Sequence, residues 1–318
     1  MIRWPVLITI AFALVLVIYF RGAIVEQTTK PVEDTKAIVS ESEIRDVLPR
    51  GAIQAITQPK FVTLAETDFS DESPMLVLSI GSDHRAYPQD ILNWHEVVND
   101  VVGGTKVAVT FDPLPGTSYV FERIINGQEL NFGVSGKLYK NNLLMADREA
   151  DSLWSQAGSQ AIKGPHSGSE LIRIPADRMI LGEFRRRYPS GLVLAPPTGP
   201  IARDYDTDPY EDYRASATAI GIFGQGRSDS RLKPKTLVFG VEHNSIFKAY
   251  PLEKMPANGV IEDTIGGSPI LLESNSATSY QAAFAKKLDG SKGDQLIGSQ
   301  SFWFAWSDFH PETEIYEH

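Results

Sequence analysis

The chain has 318 residues, 42% of them hydrophobic, with 30 Lys and Arg against 40 Asp and Glu and no cysteine. The formal charge of −10 excludes nucleic acid as an expected partner, because affinity for a phosphate backbone comes from clustered cations. Without a thiol there is no disulfide, no thiolate metal ligand and no cysteine nucleophile.

Trp4 to Phe20 is an unbroken run without a charge, bounded by Arg3 and Arg21. It lies at the short end of what spans a bilayer. A cleaved signal peptide is the competing reading, but Tyr19-Phe20-Arg21-Gly22-Ala23 is a poor small-x-small cleavage site, so an uncleaved anchor over residues 1–25 is expected. A short tail carrying Arg3 ahead of a large region fits N-in, C-out. The expected location is therefore the inner membrane, single-pass through residues 4–20, with the folded region on the extracytoplasmic (periplasmic) side. Residues 26–47 are polar and mixed in charge, which predicts a tether.

From Leu48 the chain runs in short β-rich segments separated by Gly, Pro, Asn and Asp, such as Met75 to Ile80 and Val107 to Phe111. Asn126-Gly127 between Tyr119–Ile125 and Gln128–Val134 marks a two-residue hairpin turn. One helix is predicted, capped by Asp177, running from Arg178 to Tyr188 and ended by Pro189. The fold class expected is mainly β, or β-rich α+β.

Ala86-Tyr87-Pro88, Asp100 and Gly103-Gly104 recur at the same spacing as Ala249-Tyr250-Pro251, Asp263 and Gly266-Gly267, each set after a basic residue, Arg85 or Lys248. Thr117-Ser118-Tyr119 and Thr278-Ser279-Tyr280 match after a two-residue shift. This predicts two degenerate copies of one β unit packed as one folded region, over residues 48–230 and 231–318, since a lone half would expose its edges and one core face.

The copies differ at the loop Trp94-His95-Glu96-Val97-Val98-Asn99-Asp100, where His95, Glu96 and Asn99 align with Asn258, Gly259 and Glu262. Any site is thus expected in the first half. Asn99 stands where a zinc peptidase needs its second His. His95 is either a ligand or acid/base group, or a buried histidine bonded to Asp100 or backbone. Asp112, in Asp112-Pro113-Leu114-Pro115-Gly116, follows a strand and is aimed at the same cleft, unless the segment is merely a Pro-rich turn. Asp147-Arg148 is a catalytic candidate or a structural ion pair. Met145 and His166 complete a possible metal set with His95 and Asp112, and a divalent metal ion is the one cofactor this suggests.

Three further patterns carry less. Gly133-Val134-Ser135-Gly136 lacks the nucleophile-elbow spacing. Asp204-Tyr205-Asp206-Thr207-Asp208 departs from a calcium loop at Pro209 and Ala215, which leaves an acidic, tyrosine-rich surface loop. Gly221, Gly224 and Gly226 do not lie in a βαβ unit.

The runs Arg85 to Pro88, His95 to Asp100, Phe132-Gly133-Val134-Ser135-Gly136-Lys137-Leu138-Tyr139 and Ser152-Leu153-Trp154-Ser155-Gln156 resemble the prokaryotic family known as domain of unknown function 3179, over nearly everything from Leu48 to Pro311. The resemblance implies exported or membrane-anchored relatives and marks the first-half cluster as the family signature, but carries no activity. Many relatives have Cys-Pro-Leu-Cys or Cys-Pro-Leu-Thr where this chain has Asp112-Pro113-Leu114-Pro115, so a thiol-based role does not transfer. Asp112 either keeps a hard-metal site or marks a lost one.

Two functional expectations result. The first is a noncatalytic binding or assembly module at the membrane. The second is a metal-dependent or general acid/base enzyme centred on His95, Glu96, Asn99 and Asp112, with Met145, Asp147, Arg148 and His166 as neighbours.

Overall fold

The computed structural model describes residues 37–317, apart from 225, 227 and 228. Strand outweighs helix, 45% to 14%, which makes the fold mainly β. Residues 4–20 lie outside the described residues, and among the described ones no helix is long and apolar enough to cross a membrane.

In chain order the first half contains β1 (Pro74–Ile80), β2 (Asp83–Pro88), α1 (Gln89–His95), β3 (Val97–Val102), β4 (Thr105–Asp112) and β5 (Thr117–Glu122). Then come β6 (Phe132–Tyr139), β7 (Asn142–Asp147), β8 (Leu153–Ser155) and β9 (Gln160–Lys163), followed by β10 (Asp177–Ile180), α2 (Leu181–Arg187), β11 (Leu192–Leu194) and α3 (Glu211–Ala215). The second half contains β12 (Leu237–His243), β13 (Ile246–Pro251), β14 (Asn258–Ile265), β15 (Ser268–Asn275), β16 (Tyr280–Lys286), β17 (Ile297–Phe302), α4 (Trp303–Phe309) and β18 (Glu314–Ile315). Short edge strands are named by their residues.

The pairings in the two halves correspond position by position. The orders β10-β1-β2-β11 and β17-β12-β13-β18 have the same senses, the last pair in each being parallel. Val77 opposes Ala86 as Gly240 opposes Ala249. Arg178 opposes Leu76 as Gln300 opposes Phe239. In the second ladder Val98 faces Val109 as Ile261 faces Leu272, and Val107 faces Glu122 as Ile270 faces Ala285. The spacing set by Ala86 and Ala249 therefore holds through the third strand. Thr117 and Tyr280 are the matched residues there, so the expected two-residue shift of the Thr-Ser-Tyr triplets is not how the strands correspond.

Each half carries the same clasp. The Tyr87 hydroxyl donates to Asp100 Oδ2 at 2.7 Å, Arg85 Nη1 reaches Oδ1 at 2.9 Å, and the Val101 N–H caps Oδ1 at 2.7 Å. In the second half Tyr250 donates to Asp263 at 2.9 Å, Lys248 pairs with it at 2.7 Å and the Thr264 N–H reaches it at 2.7 Å. The hairpins beyond turn through two left-handed glycines, Gly103 and Gly104 at φ 54° and 83°, and Gly266 and Gly267 at 55° and 79°. Both central positions of such a turn need positive φ.

The halves also exchange strands. β16 pairs with β10, placing Arg178 opposite Gln281 and fusing strands of both halves into one nine-stranded sheet. Reciprocally, β5 lies against β17: the Ser118 N–H donates to Ser299 Oγ at 3.2 Å and the Phe302 N–H to the Pro115 carbonyl at 2.8 Å. The first half alone adds the sheet of Ile44–Asp46 with β6 to β9. Its Phe132 and Trp154 pack edge to face, centroids 5.7 Å apart, in a core shared with Trp94, Phe121, Tyr210 and Tyr213.

Two expectations need correcting. Residues 177–180 are strand rather than the cap and first turn of a helix, because four consecutive residues pair with β1 and the helix begins at Leu181. The expected single helix is one of four α-helices among the described residues. α1, only seven residues long, was hidden because Ile91, Leu92, Trp94 and His95 are all buried, leaving no polar face to set a period. The Asn126-Gly127 turn is present at φ 51° and 80°. It closes only a two-pair ladder, Ile124–Ile125 with Gln128–Glu129, while the longer flanking strands join different sheets.

Candidate functional site

α1 ends in an abrupt turn at Glu96, whose φ of 56° and ψ of −31° are costly for a residue with a side chain. The turn sends His95 and Glu96 into the interior, under the loop of residues 203–215. His95 is fully buried, with Nδ1 2.7 Å from the Gln54 carbonyl and Nε2 2.8 Å from the Tyr205 hydroxyl. A carbonyl only accepts, so Nδ1 carries the proton and Nε2 accepts from Tyr205. Burial pushes the His95 pKa down to about 4, opposed by the Gln54 carbonyl and reinforced by Arg203. The ring is therefore neutral at pH 7, and its one lone pair is taken.

Glu96 and Asp112 form a buried carboxyl pair. Burial raises Glu96 well above the usual range and the Asp112 charge raises it further, against the Tyr210 hydroxyl that bonds it. Burial pushes Asp112 up to about 7, although it accepts the Leu114 and Leu143 N–H groups at 3.1 and 2.6 Å. Asn142 Nδ2 lies between Asp112, Thr117 and Gln156, at 3.2, 3.1 and 2.9 Å. Two carboxyls in one dry site retain protons that exposed ones release. Such a pair is equipped to hold and pass a proton.

The other candidates have structural partners. Asn99 clamps β3 to β6, donating to the Phe132 carbonyl at 2.7 Å and accepting its N–H at 2.8 Å. Asp147 accepts from Ala150 N, Ser152 N and Trp154 Nε1 at 2.6, 3.1 and 2.8 Å. Arg148 is exposed, and Met145 is core opposite Trp154. The His166 ring lies 5.6 Å from that of Trp154, with Nε2 buried and unbonded. Among the described residues no three His, Asp or Glu side chains group as a metal would require.

The loop read at Asp204–Asp208 is at the surface, with Asp204 and Asp206 exposed, and its inner side seals this cluster. Asp204 folds it by accepting Asp206 N and Thr207 Oγ1. Trp94 Nε1 donates to the Thr207 carbonyl at 3.1 Å and Asn93 to Asp208 at 3.2 Å. Tyr210 and Tyr213 are buried. The tyrosine spacing was the available signal, but it repeats at no strand or helix period.

An open feature lies elsewhere, at the seam between the halves. A cavity of about 250 Å³ is lined by matched residues of both, Pro74 with Leu237 and Gln89 with Leu252, and by Arg178 and Gln300. Arg178, expected as the first residue of a helix, is on β10 and lines the cavity. Its Nη1 donates to the Gly116 carbonyl at 3.3 Å, its Nη2 donates to Gln89 Oε1, and its carbon lies 5.6 Å from the Phe111 centroid. Burial, with Arg214 adding repulsion, lowers its pKa to about 10, so it stays charged at pH 7.

The sequence profile of the family described as protein of unknown function, DUF3179, matches residues 50–313. The chain belongs to that family. The match takes in the clasps, the sealed cluster and the cavity lining alike, so the DUF3179 assignment covers both halves. No curated protein and no solved structure matches the chain.

Proposed function

We propose that the chain is a binding module on the extracytoplasmic face of the inner membrane, anchored by residues 4–20 and built from two degenerate copies of one β unit. One observation carries the binding reading: His95, Asn99 and Asp147 are each held by internal partners, whereas the seam cavity is lined by a cation, Arg178, whose two hydrogen-bond partners are both neutral. The uncharged run Trp4 to Phe20 supports the anchor. The matched ladders and the two Tyr–Asp clasps support duplication.

The acid/base alternative rests on Glu96 and Asp112 rather than on His95, since burial pushes Asp112 up to about 7, raises Glu96 well above the usual carboxylate range, and Glu96 has a strained backbone.

Two measurements test the reading. Membrane fractionation followed by protease added outside spheroplasts should recover the chain with the inner membrane and digest the folded region; a soluble or protected chain overturns the anchor. Mass-spectrometric metal content of protein purified without a His tag should be substoichiometric. Near-stoichiometric metal that disappears in a still-folded His95→Ala variant establishes the enzyme or metal-carrier reading instead.

A further inference from the structure

We infer that the seam cavity binds a small organic monoanion, a carboxylate with a short apolar body, whose charge meets Arg178. The assignment rests on the binding module proposed above and names its ligand class.

Arg178 is a half-buried cation on the cavity wall, and among the described residues no acid pairs with it. Its two hydrogen-bond partners, the Gly116 carbonyl and the Gln89 amide oxygen, are neutral. Among the described residues no Asp or Glu lines the cavity. A guanidinium has five N–H donors in a planar fork, so three remain after those two bonds. A guanidinium whose charge is met by no acid attracts an anion, and a carboxylate matches the fork geometrically.

The charge count selects a monoanion. At the position matching Arg178 the second half has Gln300, whose amide donates to Gln281 Oε1 at 2.5 Å. The seam therefore presents one positive charge rather than two, and a phosphate dianion would leave a charge unmatched. The remaining wall mixes Ser274, Ser276, Ser279 and Gln281 with Met75, Met179 and Met255, thioethers that reshape around a ligand. The volume equals on the order of eight waters at ~30 Å³ each, which suits a short chain or single ring.

The test uses the full-length chain in detergent, with hexanoate and its neutral analogue hexanamide titrated calorimetrically. Hexanoate should bind the wild type about tenfold more tightly than hexanamide, the difference between a charged and a neutral hydrogen bond. Arg178→Met should bring the ratio to about one. If that variant does not fold, Ser276→Trp, at an exposed rim position, should abolish hexanoate binding by closing the mouth.

Equal binding of hexanamide, or failure of hexanoate to bind, overturns the anion assignment. Mass spectrometry of small molecules released on denaturing the natively purified chain separates that failure from failure of the module. A released neutral molecule leaves the binding reading standing, and no bound or released molecule removes both.

Discussion

The two clasps show how one local solution is used at two depths. In the first half the Tyr87–Asp100–Arg85 group is covered, with the Asp100 side chain 6% exposed. In the second, Asp263 is 18% exposed and its cation is a lysine. The bonds are alike, but Phe61 packs on the first clasp, its ring 5.7 Å from that of Tyr87 and 4.5 Å from the Arg85 guanidinium carbon. The same contrast appears beneath the helices. Val77 on β1 is matched on β12 by Gly240, where an added Cβ would lie 2.1 Å from the Trp306 ring. The second half packs a large helix residue directly onto bare backbone.

The largest test removes the carboxylate from each clasp. Asp100→Ala leaves the buried Tyr87 hydroxyl without its acceptor and Arg85 with Asp83 alone, and should cost about 3 kcal/mol. Asp263→Ala should cost about 1–3 kcal/mol, because water reaches the partners. Urea midpoints at constant m measure both; equal losses would show that the lower exposure of Asp100 does not strengthen the first clasp.

Gly240→Val should destabilise by about 1–3 kcal/mol through overpacking against Trp306. Combining it with Trp306→Ala should give a total below the sum of the single losses, a coupling read from a double-mutant cycle. Gly104→Ala and Gly267→Ala are the matched control. Neither Cβ meets an atom within 4 Å, and the φ values of 83° and 79° are alike, so each should cost about 1–2 kcal/mol for the left-handed backbone.

The smallest effect is with pH and belongs to the first half, since Glu96 and Asp112 are matched by Gly259 and Asn275. Asp112, pushed up to about 7, holds a proton in the fold that the unfolded chain has already released. Its contribution is greatest below the usual carboxylate range and is lost as pH rises through 7. Buried His95 and His310, pushed down to about 4 and about 3, have the opposite sign. Their contributions are complete above about pH 6.5 and are lost on acidification. Between about pH 6.5 and 8 the two histidines no longer contribute a change, and Asp112 should lower stability by about 1 kcal/mol, partly offset by Lys235, which burial pushes down to about 8. In Asp112→Asn the decline should flatten, and an unchanged slope would remove the paired-carboxyl description.

The β class, the Asn126-Gly127 turn and the spacing of the Tyr, Asp and Gly positions were legible because each depends on local chemistry, such as positive φ or an alternating face. The burial of His95 was legible as one of two readings, but its partners were not. Gln54 lies 41 residues before it and Tyr205 110 after it, and no periodicity spans such separations. Arg178 was misplaced for a related reason. Its neighbours suit a helix, and the pairing with β1 that makes it strand depends on residues about a hundred positions away.

The exchanged strands also set an order of events for the growing chain. The Phe302 N–H seeks Pro115, and Gln281 pairs across from Arg178, so neither half completes its edges from its own residues. Loops of this length close at an entropic cost before their contacts form. A chain emerging N-terminus first must therefore hold an unfinished first half until the segment around residue 300 arrives. A stop codon that removes only β17 and the residues C-terminal to it should disable both halves, leaving no stable fragment at the size of the first.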